Sequence, residues 1–174
     1  MNRVAFFLPG AALRAGCLVL VIGACMTAAC ASPSVKVQQA AARGQTAELM
    51  KALHDADEEW IVEDAALGLG QARHQAALPE LLKLLQDPKA GPYRRQAAAR
   101  ALAGLHDDKA IQPLIQALER AEQPEERYWV TASMGRFCTL EAKAALEAQS
   151  GSPDLLVARA ARKGLADCAR EEKP

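Results

Sequence analysis

The chain has 174 residues, of which 51% are hydrophobic, 24% charged and only 4% aromatic. This length and composition suit one compact domain, and a preference for alanine and leucine over aromatic residues favours closely packed helices over sheets. Basic and acidic residues balance, so the chain has no overall positive field that would bind nucleic acid or an anionic membrane.

The beginning of the chain has the pattern of an export signal. Basic residues supply positive charge, an uncharged stretch covers 15–26, and small residues then lead to Cys30. The sequence Thr27-Ala28-Ala29-Cys30 resembles the lipobox of bacterial lipoproteins, whose cysteine is acylated and becomes the first residue after cleavage. This resemblance predicts a signal peptide over 1–29 and a lipidated Cys30.

Other interpretations of this segment remain open. Cys25, in Ile22-Gly23-Ala24-Cys25, fits the same pattern and is the alternative lipidation site. Cleavage near Ala29 or Ala31 as in a conventional signal peptide would give a soluble secreted protein, and an uncleaved segment would be a membrane anchor. Because Ala31, and not aspartate, follows Cys30, the resemblance to lipoproteins predicts the outer membrane, with the rest of the chain in the periplasm.

Residues 30–34 are predicted to form a short polar tether, and residues 35–172 the folded domain. Within the domain, glycine and proline recur at the spacing of short helical hairpins, and Pro92 occupies a first helical turn, where proline is tolerated. Nine helices are predicted, or four and a half hairpins, and no segment alternates as a strand does. After a short first helix, the predicted bounds are 46–54, 57–72, 76–86, 92–105, 108–121, 124–137, 140–148 and 154–168.

Two of these hairpins have nearly the same sequence, displaced by 33 residues. The equivalent pairs are Leu69 and Leu102, Ala77 and Ala110, Leu81 and Leu114, and Leu85 and Leu118. A repeat of this length indicates a solenoid, whose units bury their apolar faces only by stacking on their neighbours. The predicted fold class is therefore all-α, a short α-solenoid that offers an extended binding surface instead of a catalytic cleft.

The repeat also resembles a known family. Residues 101–118, Ala-Leu-Ala-Gly-Leu-His-Asp-Asp-Lys-Ala-Ile-Gln-Pro-Leu-Ile-Gln-Ala-Leu, are similar to the HEAT repeat, in particular the short bacterial type named after phycobilin lyases. Residues 65–85 have the same pattern, and 125–148 and 154–168 have it loosely. The resemblance implies the solenoid fold. It implies no single function, because the family includes scaffolds, lyase subunits and metalloenzymes.

No arrangement typical of a catalytic, metal or cofactor site stands out in the sequence. There is no glycine-rich phosphate loop and no paired-carboxylate or Ser/His/Asp signature, and His54, His74 and His106 have no second ligand at helical spacing. The predicted function is a membrane-anchored, non-catalytic adaptor that binds a protein partner, with no cofactor and no nucleic acid. The alternatives are an accessory lyase or hydrolase subunit resembling phycobilin-lyase HEAT proteins, and a structural periplasmic module.

Aromatic and basic residues near the starts of the first helices are the candidate contacts for a partner. Tyr93, Arg94, Arg95 and Tyr128 are predicted to contact it, since tyrosine and arginine are enriched in protein interfaces. Trp60 is equivalent to Tyr93, and the two either form an exposed ridge or fill gaps between helices. The recurrent arginines are also open to a second interpretation, as a solvated face balanced by acidic neighbours.

Cys138 and Cys168 are predicted to lie at the ends of the first helices of adjacent repeats. In an oxidising compartment a disulfide between them would close the last repeat. Equivalent positions of stacked repeats can also lie beyond the bridging limit of about 7 Å between Cα atoms, which would leave two buried thiols.

Overall fold

The computed structural model describes residues 33–172, which form nine α-helices and no strand, as predicted. The helices are α1 Pro33–Ala42, α2 Thr46–Asp55, α3 Glu59–Gln71, α4 Leu78–Gln86, α5 Pro92–Leu105, α6 Ile111–Arg120, α7 Pro124–Met134, α8 Leu140–Ser150 and α9 Leu155–Glu171. Short 3-10 turns, Gln75–Ala77 and Asp108–Ala110, lead into α4 and α6. The predicted signal peptide, Cys25 and Cys30 lie outside the described residues.

The helix bounds differ from the predicted ones by up to three residues at several ends. Helix α1 begins at Pro33, two residues before the predicted start of the domain, because proline fits the first turn of a helix. Helix α7 ends at Met134, and Phe137 lies in the following turn with its side chain buried. Helix α9 begins after Asp154, whose carboxylate accepts hydrogen bonds from the backbone nitrogens of Leu156 and Val157 at 2.8 and 3.1 Å.

The helices stack as two rows. The first helices of the hairpins, α1, α3, α5, α7 and α9, lie side by side in chain order. Each second helix, α2, α4, α6 or α8, packs against the first helix of the following repeat. The equivalent leucines Leu81 and Leu114 are both 0% exposed and belong to the same core cluster, and so are Leu69 and Leu102. The predicted α-solenoid is confirmed.

The first helices run parallel, so that their ends form two edges of the domain. Gln38 of α1 donates to Asp64 of α3 at 3.2 Å, and Arg94 in the first turn of α5 reaches the loop that precedes α3. We call the hairpin turns the turn edge, residues 72–77, 106–110 and 135–139. We call the inter-repeat loops with the first residues of the helices that follow them the loop edge, residues 56–60, 87–93, 121–125 and 151–156.

At the turn edge, neighbouring first helices touch through their backbones. A Cβ atom added at Gly70 of α3 would lie 2.7 Å from the carbonyl oxygen of Ala101 in α5, and one added at Gly104 would lie 2.8 Å from the carbonyl carbon of Gly70. Gly135 and Gly164 repeat this contact, since a Cβ atom at Gly164 would lie 2.7 Å from the Cα atom of Gly135. Only a residue without a side chain permits so close an approach.

The turns of the two similar hairpins also share their backbone conformation. Arg73 and His106, 33 residues apart, have left-handed φ angles of 49° and 55°. The side chain of Asp107 then accepts a hydrogen bond from the backbone nitrogen of Lys109 at 3.0 Å. The sequence repeat is therefore a structural repeat down to single dihedral angles.

Candidate functional site

Arginines in the first turns of α5 and α7 hold the inter-repeat loops. The Nη2 atom of Arg94 donates to the carbonyl oxygens of Ala56 and Asp57 at 3.3 and 3.0 Å. Arg127, 33 residues later, donates from Nη2 to the carbonyl oxygen of Ala121 at 2.8 Å. These bonds satisfy loop carbonyls that no helix would pair. Arg94 therefore has a structural role within the chain.

Arg95 connects α5 to α7. Its Nε and Nη2 atoms donate to the two carboxylate oxygens of Glu126 at 2.7 and 3.3 Å, and Nη1 donates to the carbonyl oxygen of Ala90. The Arg95 side chain is 23% exposed and that of Glu126 is 10% exposed. The hydrogen bond with Glu126 raises the pKa of the Arg95 guanidinium, against a smaller opposing effect of burial. The guanidinium is therefore charged, and its hydrogen bonds to Glu126 hold it in this ion pair.

Arg100 is likewise used between helices. Its Nη1 atom donates to Glu63 of α3 at 2.7 Å, while its guanidinium carbon lies 4.8 Å from the ring centroid of Trp129 in α7. The half-buried rings of Trp129 and Tyr128 meet edge to face at 4.9 Å. The arginines of the first helices that make these contacts therefore join repeats together, and Arg95 and Arg100 do so by pairing with acidic side chains.

The loop edge carries large apolar side chains in solvent. Trp60 is 45% exposed and Tyr93 is 54% exposed, so these two rings do not fill gaps between helices. At the start of α9, Leu155 and Leu156 are 79% and 60% exposed. We call these four residues the apolar row. The exposure of the two leucines was not expected from the sequence, where they lie next to the buried Val157 and Ala158.

A small notch lies beside Tyr93 at the loop edge. It measures about 70 Å³ and lies between the first turns of α5 and α7. Its lining residues are Pro92, Tyr93, Gln96, Gln123, Glu125 and Glu126. Because Arg95 already binds Glu126, Glu125 is the carboxylate of the notch that no described basic residue pairs.

Tyr128 lies elsewhere, in a groove of about 480 Å³ between α7 and α9. The glycine contact between the two helices lies at this groove, and Arg136, Lys163 and Asp167 are among its lining residues. A hydrogen bond from Lys163 lowers the pKa of Asp167, and the charges of Arg170 and Arg136 lower it further. Tyr93 and Tyr128 therefore do not belong to a single contact surface.

Comparison with protein families agrees with this geometry. A family model described as HEAT repeats matches residues 91–166, and one described as PBS lyase HEAT-like repeat matches residues 61–87. The chain contains a HEAT-repeat domain. A search of curated proteins found no match for the sequence.

The HEAT assignment gives the general character of the domain. HEAT solenoids are typically non-catalytic, and HEAT repeats commonly mediate contacts between proteins. The second family model is named after lyases, and that name by itself assigns no reaction to this chain. In the described part of the chain no helix has the length and hydrophobicity needed to span a membrane.

The histidines of the HEAT domain do not lie together, and their neighbours differ. His54 lies 4.0 Å from Glu80, between Nε2 and Oε2, and the ring of His106 stacks on that of Phe137 with 5.4 Å between centroids. Among residues 33–172 no three histidine, cysteine or acidic side chains converge as a metal site requires.

The structure joins Cys138 and Cys168 in a disulfide. Cys138 belongs to the turn after α7 and Cys168 to α9, and their Cα atoms are 5.3 Å apart. The pair lies at the turn edge, where it ties the last helix of the HEAT domain to the preceding turn. The Cα distance is within the range that a disulfide spans.

Proposed function

We propose that this protein is a lipid-anchored adaptor whose HEAT domain binds another protein and catalyses no reaction. The observation that carries the proposal is the apolar row at the loop edge, where the Trp60 and Tyr93 rings are about half exposed. Aromatic residues are the usual anchors of protein interfaces, and large apolar patches at a surface commonly mark them. The HEAT repeats support the same conclusion.

The lipid anchor in this proposal rests on the lipobox-like sequence that ends at Cys30. A disulfide between Cys138 and Cys168 suits an oxidising compartment such as the periplasm. An acyl group on Cys30 would tether the HEAT domain to the membrane through the short segment before α1.

Metabolic labelling with a palmitate analogue tests the anchor. We expect the label on the wild-type chain and on Cys25→Ala, and its loss from Cys30→Ala. Retention of the label by Cys30→Ala would contradict lipidation at that position, and loss from Cys25→Ala alone would assign the lipid to Cys25.

Co-purification after crosslinking in intact cells tests the adaptor function. The double variant Trp60→Ala/Tyr93→Ala is expected to recover at least about tenfold less partner than the wild type. The reason is that aromatic anchors buried in an interface contribute about 2 kcal/mol or more each. Leu140→Ala is the matched control, because Leu140 is 82% exposed but lies next to the turn edge. Equal recovery by the double variant and the wild type would reject the apolar row as the binding surface.

The second candidate function is an accessory subunit of a lyase. The match of residues 61–87 to the PBS lyase HEAT-like repeat favours it. It predicts a bound chromophore or metal in protein purified from its native cells, which an absorption spectrum and elemental analysis would detect. Colourless, metal-free protein that still recovers its partner would leave only the adaptor.

A further inference from the structure

The apolar row is bordered by acidic side chains. Exposed carboxylates lie in the loops before α3 and α7 and in the first turns of these helices, on Asp57, Glu58, Glu59, Glu122 and Glu125. None of these carboxylates forms an ion pair with another described residue. The exposed bases of the same edge are Lys89 and, at the end of α6, Arg120. The loop edge therefore presents negative charge around exposed aromatic rings.

Helix stabilisation explains only part of this charge. Glu59 and Glu125 lie in the first turns of α3 and α7, where a carboxylate interacts favourably with the helix dipole. Asp57 and Glu122 lie in the loops, and their carboxylates accept no described hydrogen bond and form no described ion pair there. Arg95 is paired with Glu126, whereas Arg94 binds neutral loop carbonyls and keeps its positive charge beside Asp57, so the acidic side chains of the edge outnumber the basic ones without being fully balanced.

From this arrangement we infer that the loop edge docks a basic segment of the partner protein, with a lysine or arginine side chain in the notch beside Tyr93. The inference rests on the adaptor function proposed above. A cation in the notch would lie beside Tyr93 and Glu125, and an aromatic ring and a carboxylate both attract cations. Gln96 and Gln123 supply amide oxygens that accept hydrogen bonds. The remaining apolar row receives the aliphatic stems and apolar side chains of the same segment.

The spacing of Trp60 and Tyr93 suits an extended peptide. Adjacent first helices lie about 8–10 Å apart, which equals roughly three residues of extended chain. A peptide that crosses the helix ends would therefore place every third side chain over a new repeat, with one over Trp60 and one over Tyr93. An anionic membrane surface is the less suitable occupant, because the bordering carboxylates would repel it.

Site-specific photo-crosslinking in intact cells tests the inference. Benzoylphenylalanine replaces Tyr93 in the full chain, since this probe is itself aromatic, and replaces Gln112 as the control. Gln112 is exposed in the first turn of α6, at the opposite end of the hairpin. Mass spectrometry then identifies the crosslinked peptide of the partner. A third chain combines the Tyr93 probe with Glu122→Gln/Glu125→Gln.

We expect the probe at Tyr93 to crosslink a segment in which lysine and arginine outnumber aspartate and glutamate. The two charge-neutralising substitutions should lower its yield by about fivefold, and added salt should do the same. An acidic or neutral segment, an unchanged yield after neutralisation, or crosslinking to lipid would each overturn the inference. If only the Gln112 probe captures a protein, the adaptor function stands and this surface is rejected. If neither probe captures one, both proposals fail.

Discussion

At the turn edge of the HEAT domain, neighbouring helices meet through glycine backbones and a disulfide, whereas at the loop edge arginine side chains hold the repeats and aromatic rings remain in solvent. Gly70 and Gly104 leave no room for a side chain between α3 and α5. Trp60 and Tyr93, at the other end of the same two helices, are about half exposed. In each of these repeats the turn edge is therefore used for packing between helices, whereas the loop edge leaves apolar side chains exposed to solvent.

This difference separates stability from binding. Substitutions at the turn edge should lower the free energy of unfolding and leave partner recognition unchanged in the molecules that remain folded. Substitutions in the apolar row should weaken partner binding and leave the free energy of unfolding nearly unchanged. The following variants test that separation, in the order of the expected change in stability.

Loss of the disulfide should have the largest effect. Cys138 and Cys168 are separated by 30 residues, for which the chain-entropy model gives about 3–4 kcal/mol of stabilisation. Urea unfolding of residues 33–174, which contain no other cysteine, is compared with and without a reducing agent. The double alanine variant should match the reduced wild type and should not respond to the reductant. Equal midpoints for oxidised and reduced wild type would contradict the disulfide's role.

Gly70→Ala should be the next most destabilising change. The new Cβ atom would lie 2.7 Å from the carbonyl oxygen of Ala101, so the two helices must move apart, at a cost of about 2 kcal/mol. Gly151→Ala is the control, since a Cβ atom there meets nothing within 4 Å. If Gly70→Ala is as stable as the control, the two helices are not in backbone contact.

Arg95→Ala should destabilise the loop edge by about 1–2 kcal/mol, because Glu126 would be left largely buried without its partner. Glu126→Ala in the same chain should restore part of that loss. Arg120→Ala is the control, because the exposed Arg120 bonds only within its own helix. Additive effects of the Arg95 and Glu126 substitutions in denaturant unfolding would show that the pair contributes nothing.

Tyr93→Ala should change the free energy of unfolding by no more than about 0.5 kcal/mol, since more than half of the side chain is already in solvent. A loss comparable to that of Gly70→Ala would mean that Tyr93 supports the fold instead of a partner. Thermal and urea unfolding both report the difference.

The smallest effect concerns pH and Asp167. A hydrogen bond from Lys163 lowers the pKa of this half-buried carboxyl below its ordinary value of 3.8, so its contribution to stability is present above that pH and disappears as the pH falls through the lowered pKa. A carbon-detected NMR titration should give a midpoint below 3.8 that rises in Lys163→Ala. A midpoint that does not respond to this substitution would contradict the cause given.

The solenoid could be predicted because the equivalent leucines recur at a fixed spacing, and Leu81 and Leu114 have the same burial. The roles of Arg94 and Arg95 could not, because their acceptors are a loop of another repeat and a carboxylate 31 residues away. Sequence spacing places an arginine in a first turn, but the direction of its long side chain depends on the neighbouring repeat.

Amide hydrogen exchange of the HEAT domain, free and bound to its crosslink-identified partner, tests the separation of the two edges most directly. We expect the partner to slow exchange at least about tenfold in residues 57–62 and 94–97 and to leave residues 73–77 and 106–110 unchanged. Protection confined to the turn edge would contradict the proposed separation of stability from binding. The same exchange rates at the loop edge in the free and bound protein would also contradict it.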